Sequence, residues 1–329
     1  MIVANYNGKH YLHQSIPMLL GTRYSNFDVI IVDSGSRDGS RKFLKEEYGF
    51  NSRVSLIFPD KNDGLGTAQN LAAKASRGEF LAFLDNDAFV TPDWLSNIIR
   101  EMHSDKCIGV AQSKLLREDC PDLVDGVGAF ISPAGLLVER DGLSRGNHRG
   151  QWNRVEEIFS AKGASMTVRK SVFCKAGGFD PDFFMYNEEP DLCWRVWDLG
   201  YKVMFIPTSI VFHKAGGSIT ARTSVRRYFH GTKNYIIMIS KNMPSRDLLI
   251  AIPIQLGVWT LLIGYLVSRR KTQEAMAVLR GLLWPIRHIK LVVRKRLNRK
   301  IPRRSTNRNL TRPFNARYLI DAMHKYSRV

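Results

Sequence analysis

Branched apolar runs at 2–4, 29–32, 54–58 and 80–84 alternate with stretches at 9–20, 37–48, 65–75 and 92–103 whose apolar positions recur with helical period. The runs are too continuously apolar for a half-solvated sheet, so the pattern predicts an α/β fold with a parallel sheet covered by helices on both faces. Ligands of such sheets bind at the carboxyl ends of the strands. Each predicted strand ends in a polar cluster: Asn5-Tyr6-Asn7-Gly8, Asp33-Ser34-Gly35-Ser36, residues 60–66, and Asp85-Asn86-Asp87. Such residues are ordinary loop formers, but four clusters along one sheet edge outline a pocket of nucleotide size.

The periodicity weakens between 105 and 162, where a hairpin about Ser132-Pro133-Ala134-Gly135 and otherwise only short strands are expected. It returns with a strand at 164–168, a short helix at 171–176 and a turn at Gly177-Gly178-Phe179-Asp180. Residues 188–199 read as a helix, with acidic residues in the first turn, Leu192, Val196 and Leu199 as an apolar stripe, and Gly200 at the C-cap. Two short strands, 203–206 and 210–212, lead to His213.

Asp85 and Asp87 leave the end of a buried strand with one residue between them. Two hard oxygen ligands so placed suit Mg²⁺ or Mn²⁺ bridging a diphosphate, although an Asp/Asn turn before a helix has the same spelling. His213, at a strand end before a Gly-rich segment, can complete a metal site with Asp87. Glu188, Glu189 and Asp191 follow the apolar stretch Phe183-Phe184-Met185-Tyr186. A carboxylate beside such a wall can serve as a general base; charge complementarity at a helix start, with an Asp191–Arg195 pair, is the alternative and the reading preferred for Asp191. Trp194 and Trp197, at helical spacing, read as core rather than as sugar-stacking residues.

In order, Val3-Ala4-Asn5-Tyr6-Asn7-Gly8, Ile31 to Ser40, Asn62-Asp63-Gly64 through Asn70, Leu84-Asp85-Asn86-Asp87, Gly177-Gly178-Phe179-Asp180, Glu188 to Arg195 and Val211-Phe212-His213 resemble the family 2 inverting glycosyltransferases of GT-A fold, in particular a rhamnosyltransferase-like branch. The resemblance covers residues 1–219. It implies a nucleotide-sugar donor whose base and ribose border Asn5, Tyr6 and Asp33, with Asn62 and Asn70 near the ribose and phosphates. Asp85 would approach the ribose or the metal, and Asp87 and His213 would bind Mg²⁺ or Mn²⁺. The family's catalytic base is the Asp of a Glu-Asp pair; Glu189 stands at that position here, with Glu188 as the alternative. Transfer would be a single displacement with inversion, to a lipid-linked or polysaccharide acceptor.

Charge adds a second element. Of 49 Lys and Arg and 30 Asp and Glu in 329 residues, residues 1–219 hold 25 and 27, and residues 220–329 hold 24 and 3. This reads as a near-neutral catalytic domain, 1–219, followed by a basic helical region, 220–329, that meets an anionic surface. Within it, residues 248–267 carry no charge over 20 positions, enough to cross a ~30 Å hydrocarbon core. A cytoplasmic donor and a basic tail retained in the cytoplasm cannot both be met by one crossing. A monotopic or re-entrant attachment to the cytoplasmic face of the membrane is therefore expected, with Pro253, Gly257 and Gly264 permitting a kink. Nucleic acid is not expected as partner, because the tail lacks an aromatic or Gly-rich RNA-binding pattern. The alternatives are a basic nucleic-acid-binding protein, motivated by the charge of residues 220–329, and an inactive glycosyltransferase-like scaffold, motivated by the Glu189 departure. Cys107, Cys120, Cys174 and Cys193 lack zinc-site spacing and read as reduced core residues. The first apolar run starts directly after Met1, with no leader before it, and is short enough that an upstream start is expected.

Overall fold

The four apolar runs form β1 (Ile2–Asn5), β2 (Val29–Asp33), β3 (Val54–Ile57) and β4 (Phe80–Asp85) in the computed structural model, which describes residues 1–140, 150–214 and 221–303. Between and after them lie α1 (Lys9–Leu20), α2 (Ser40–Tyr48), α3 (Leu65–Ala75) and α4 (Trp94–Ser104). Helix α2 starts three residues later than its periodicity suggests. Asp38 accepts hydrogen bonds from the Ser40 N–H and hydroxyl, and Gly39 is left-handed (φ 86°), so the chain turns before it coils.

The remaining elements are β5 (Ala88–Val90), β6 (Ile108–Arg117), β7 (Val124–Gly126), β8 (Ala129–Ile131), β9 (Leu137–Glu139), β10 (Glu156–Glu157), β11 (Ser165–Arg169), α5 (Lys170–Ala176), α6 (Glu188–Asp198) and β12 (Lys202–His213). The main sheet runs β10-β12-β6-β11-β4-β1-β2-β3, with β5 on β12 and β7 on β6. The parallel expectation holds for β3-β2-β1-β4 and for β6 with β12; β11 is antiparallel to both β4 and β6. The expected hairpin about 132–135 is the β8–β9 pair.

Short strands alone were expected between 105 and 162, yet β6 is ten residues long and buried along nearly all of its length. Its polar centre masks it in the sequence. Gln112 accepts the Lys162 N–H, Ser113 joins a hydroxyl chain with Ser165 and Ser209, and the Lys114 ammonium reaches the Asn153 side chain. The two expected strands at 203–206 and 210–212 are one strand, β12, with a register shift between Ile206 and Ile210 around Pro207. The cysteines are free, but only Cys193 lies in the core; Cys107 and Cys174 are exposed, Cys107 in the turn before β6 and Cys174 on the outer face of α5.

The basic region forms α7 (Ala221–Asn242), α8 (Ser245–Ser268), α9 (Thr272–Arg287) and α10 (Ile289–Leu297). The step in charge at residue 220 is not a step in packing. Phe159, Phe183 and Trp194 share one core with Tyr228 and Ile237 of α7, Trp259 of α8, Val278 of α9 and Val292 of α10. Lys241 pairs with Asp180 (2.8 Å) and Asp191 (2.7 Å), Lys295 with Asp180 and Asp182 (both 2.6 Å), and Arg299 with Asp198. Part of the tail's excess charge thus neutralises acidic groups of the sheet half, so the anionic surface inferred from the sequence is partly the protein's own.

Helix α8 contains the uncharged run and continues through Pro253, Gly257 and Gly264. Ala251, Gln255, Trp259, Leu262 and Leu266 form a buried stripe. Leu249, Ile250, Leu261 and Val267 are exposed. It is the one helix among the described residues long and apolar enough to cross a membrane.

Candidate active site

Three strand ends meet at one point because of sheet register. Strand β12 pairs with β5 so that His213 lies opposite Ala88, next to Asp87, and Asp85 closes β4. The His213 Nε2 is 3.4 Å from Asp87 and 3.8 Å from Asp85. One ligand atom from each of the three residues falls within 4.8 Å of the others. Two carboxylates and an imidazole suit a hard or borderline divalent cation such as Mg²⁺ or Mn²⁺.

Asp125, on β7, is the member that the sequence did not reveal. It lies 2.9 Å from His213 Nδ1, and Lys162 in turn holds Asp125 at 2.6 Å. With Nδ1–H donated to Asp125, Nε2 faces Asp85 and Asp87 as the ligand atom. Burial disfavours charge on His213, but the bonds to Asp125 and Asp87 outweigh it and push its pKa up to about 10. Burial and then the Asp87 charge push Asp85 up to about 6. The cluster therefore favours positive charge at its centre, which a divalent cation would supply with release of the imidazole proton. Asp125→Asn is expected to weaken Mn²⁺ binding about 10–100-fold, as loss of a carboxylate behind a ligating His does elsewhere; titration calorimetry on the folded variant measures it.

Glu188 and Glu189 open α6. The Glu189 carboxyl lies against the backbone of Gly163, where a Cβ would fall 1.9 Å from Oε1. Gly163 follows Lys162, so the loop that steadies Asp125 also seats Glu189. Burial, with added repulsion from Asp85, pushes Glu189 up to about 7. Glu188 is sealed (1% exposed), its Oε2 has no hydrogen-bond partner among the described residues, and burial followed by the Glu189 charge drives it well above the carboxylate range. Of the two, Glu189 is partly open and titrates near neutrality, as a base must. Asp191 has the structural part expected of it: it binds Arg195 (2.8 Å), Lys241 and Asn242. Trp194 is core, packed edge-on against Phe159, and Trp197 donates to the Phe159 carbonyl.

At the carboxyl ends of β1 and β2, Asn5 is buried, donating to Asp33 at 2.7 Å and accepting from Asn86 at 2.7 Å. Asp33 is fully buried and also accepts from the Ser36 N–H and from Arg41. Asn5 and Asp33 thus stiffen the floor between β1 and β2, and the neighbouring Tyr6 is 48% exposed. Asn62 accepts the Gly64 N–H and shapes the loop before α3. The Asn70 amide donates to the Phe179 carbonyl and accepts the Phe179 N–H, both at 2.9 Å. Both ends of the side chain clasp α3 to the turn at Gly178. The Gly-rich segment after Lys214 lies outside the described residues.

This fold, whose main sheet path has eight strands, is shared with solved glycosyltransferases of GT-A type. A mannosyltransferase of Pyrobaculum calidifontis, in complex with GDP-Man and Mn²⁺, superposes with a TM-score of 0.56 over 99% of this chain and 86% of its own at 15% identity. GalNAc-T7 with UDP, GalNAc and Mn²⁺ gives 0.61 over 93% and 58%, also at 15%. By sequence, the chain is 22% identical over 230 residues to a glucosyl-dolichyl phosphate glucuronosyltransferase of Haloferax volcanii, covering 65% of this chain and 68% of that one. Residues 1–192 match glycosyl transferase family 2, and the chain belongs to that family. The first three curated relatives it matches are longer proteins or partial matches, of which it spans 24%, 29% and 41%.

Proposed function

We propose that the protein is an inverting, metal-dependent hexosyltransferase that moves a sugar from a nucleotide-sugar donor to a hydroxyl of a lipid-linked or growing polysaccharide acceptor. The observation that carries this reading is the Asp85–Asp87–His213 cluster tethered by Asp125, with Glu189 close enough to feel the Asp85 charge. Glu189 takes the proton of the acceptor hydroxyl. The freed oxygen attacks the anomeric carbon from the face opposite the nucleotide, and the bond to the diphosphate breaks with its electron pair on the leaving oxygen. A divalent cation held by Asp85, Asp87 and His213 would neutralise charge on that diphosphate. Tyr6 offers a ring to the base, and the Asn62–Gly64 loop lies toward the ribose. The resemblance to a rhamnosyltransferase-like branch puts dTDP-sugars among the donors tried. Proton NMR of the product tests the mechanism: the new glycosidic bond is expected to carry the anomeric configuration opposite to the donor's, and a retained configuration would eliminate a single displacement.

The same reading places the enzyme at the cytoplasmic face of the cell membrane, lying on it. The outer faces of α8, α9 and α10 present Leu249, Leu261, Met276, Ile286, Ile289 and Leu297 to the exterior. Exposed Arg269, Arg270, Arg280, Arg287, Lys290 and Arg294 are interspersed with them. Apolar faces bordered by cations fit an anionic bilayer surface, where each basic side chain adds roughly 1 kcal/mol, and the buried stripe of α8 is already occupied by protein. The full chain is expected to co-sediment with phosphatidylglycerol vesicles, less so at high salt, and to lose binding in Leu249→Ser/Leu261→Ser/Ile286→Ser. Protein that stays in the supernatant at low salt would refute the attachment.

A further inference from the structure

We infer that α7 is part of the catalytic machinery and that Asn234 is a positioning residue for Glu189, an inference that rests on Glu189 being the base. Immediately before α6, Tyr186 (φ 70°) and Asn187 (φ 67°) are left-handed in succession. Residues other than glycine seldom hold that conformation, Asn more readily than Tyr. Glu188 and Glu189 follow directly, so the direction in which the first turn of α6 presents its carboxyls is set by these two residues.

The restraint comes from α7. The Asn234 amide donates to the Met185 carbonyl and the Tyr186 carbonyl, both at 2.8 Å, and the Asn187 amide donates to the Gly231 carbonyl of α7 at 3.0 Å. From the opposite side the Leu65 N–H donates to the Phe184 carbonyl at 2.9 Å. Gly64 leaves no room there, since a Cβ would stand 2.4 Å from that oxygen. The segment 184–187 is thus gripped between the donor-side loop and α7. Asn234 is fully buried, and its Oδ1 has no partner among the described residues. A buried acceptor left unmatched is uncommon; here it accompanies an amide whose two donations fix its orientation, because the flipped amide would set its oxygen against two carbonyl oxygens. Neither Asp nor Leu, both close in shape, could make those donations.

Asn234→Ala tests this beside Gln255→Ala. Gln255, on α8, is equally buried and donates to the Ala134 carbonyl at 3.1 Å, away from the 184–187 segment. With Asn234→Ala, kcat is expected to fall about 100-fold, the effect of misplacing a reacting group by about 1 Å, while the KM for donor and the affinity for Mn²⁺ stay near wild type. Amide hydrogen exchange should rise at 186–191 and not in α8. Gln255→Ala should lower thermal stability and leave kcat unchanged. If Asn234→Ala does not fold, Asn234→Ser, whose hydroxyl can serve one carbonyl, is expected to show an intermediate loss in kcat. A folded Asn234 variant with wild-type kcat, or an equal loss in Gln255→Ala, overturns the inference. Glu189→Gln separates the two levels: wild-type turnover in that variant would sink the base assignment itself, whereas an inactive Glu189→Gln beside a fully active Asn234→Ala would sink only the positioning role.

Discussion

Glu189→Gln is expected to lower kcat by about 10²–10⁴-fold, the usual worth of a general base, while leaving donor binding nearly intact. The amide keeps the shape that fills the space over Gly163 but cannot accept the hydroxyl proton. Glu188→Gln should cost far less. Burial, and then the Glu189 charge, hold Glu188 well above the carboxylate range and so favour the uncharged form that its amide copies. The pH profile supplies an independent check. Burial, then Asp85, moves Glu189 from 4.5 up to about 7, and a base must be deprotonated to act. Activity should therefore fall as pH drops below about 7. A cation on Asp85 offsets that residue's repulsion, so saturating Mn²⁺ should shift the acid limb to lower pH. The limb should be absent from the residual activity of Glu189→Gln. An unchanged limb there would assign it to another group.

The second large effect is on stability. Lys241→Met removes the cation between two buried carboxylates, Asp180 and Asp191, and losing one member of a buried ion network costs about 3–5 kcal/mol. Denaturant unfolding should show a single transition displaced to lower concentration, since α7 shares its core with Phe183 and Trp194 of the sheet half. Two transitions, with the larger one unmoved, would mean that 221–303 folds as a separate module, as the charge division alone suggests.

The contrast between what the sequence disclosed and what it concealed follows from how far apart the interacting residues lie. Strands β1, β2 and β4 and the helices beside them were legible because each buries an apolar run or stripe, and Asp85, Asp87 and His213 because they stand where apolar runs stop. Strand β6 was hidden since Gln112, Ser113 and Lys114 look like a loop until Lys162, Ser165 and Asn153 satisfy them. Asp125 and Asn234 carry no local signal at all: one reaches His213 through the β6–β7 pairing, the other reaches Tyr186 across the α6–α7 interface. Asn70 carries a backbone clasp that its place in the motif does not disclose. The uncharged run in α8 was visible, but its stripe of Ala251, Gln255 and Trp259 acquires meaning only once α7 and the β8–β9 hairpin lie beneath it.

The most direct measurement is nucleotide release by the full chain on anionic vesicles, offered UDP-, GDP- and dTDP-sugars with Mn²⁺, Mg²⁺ or a chelator. At least one donor should be consumed in the presence of cation, with release lost on chelation and in Asp87→Asn. Folded, vesicle-bound protein that releases nucleotide from none of the donors, or releases it equally with chelator, would contradict a metal-dependent nucleotide-sugar transferase built on Asp85, Asp87 and His213.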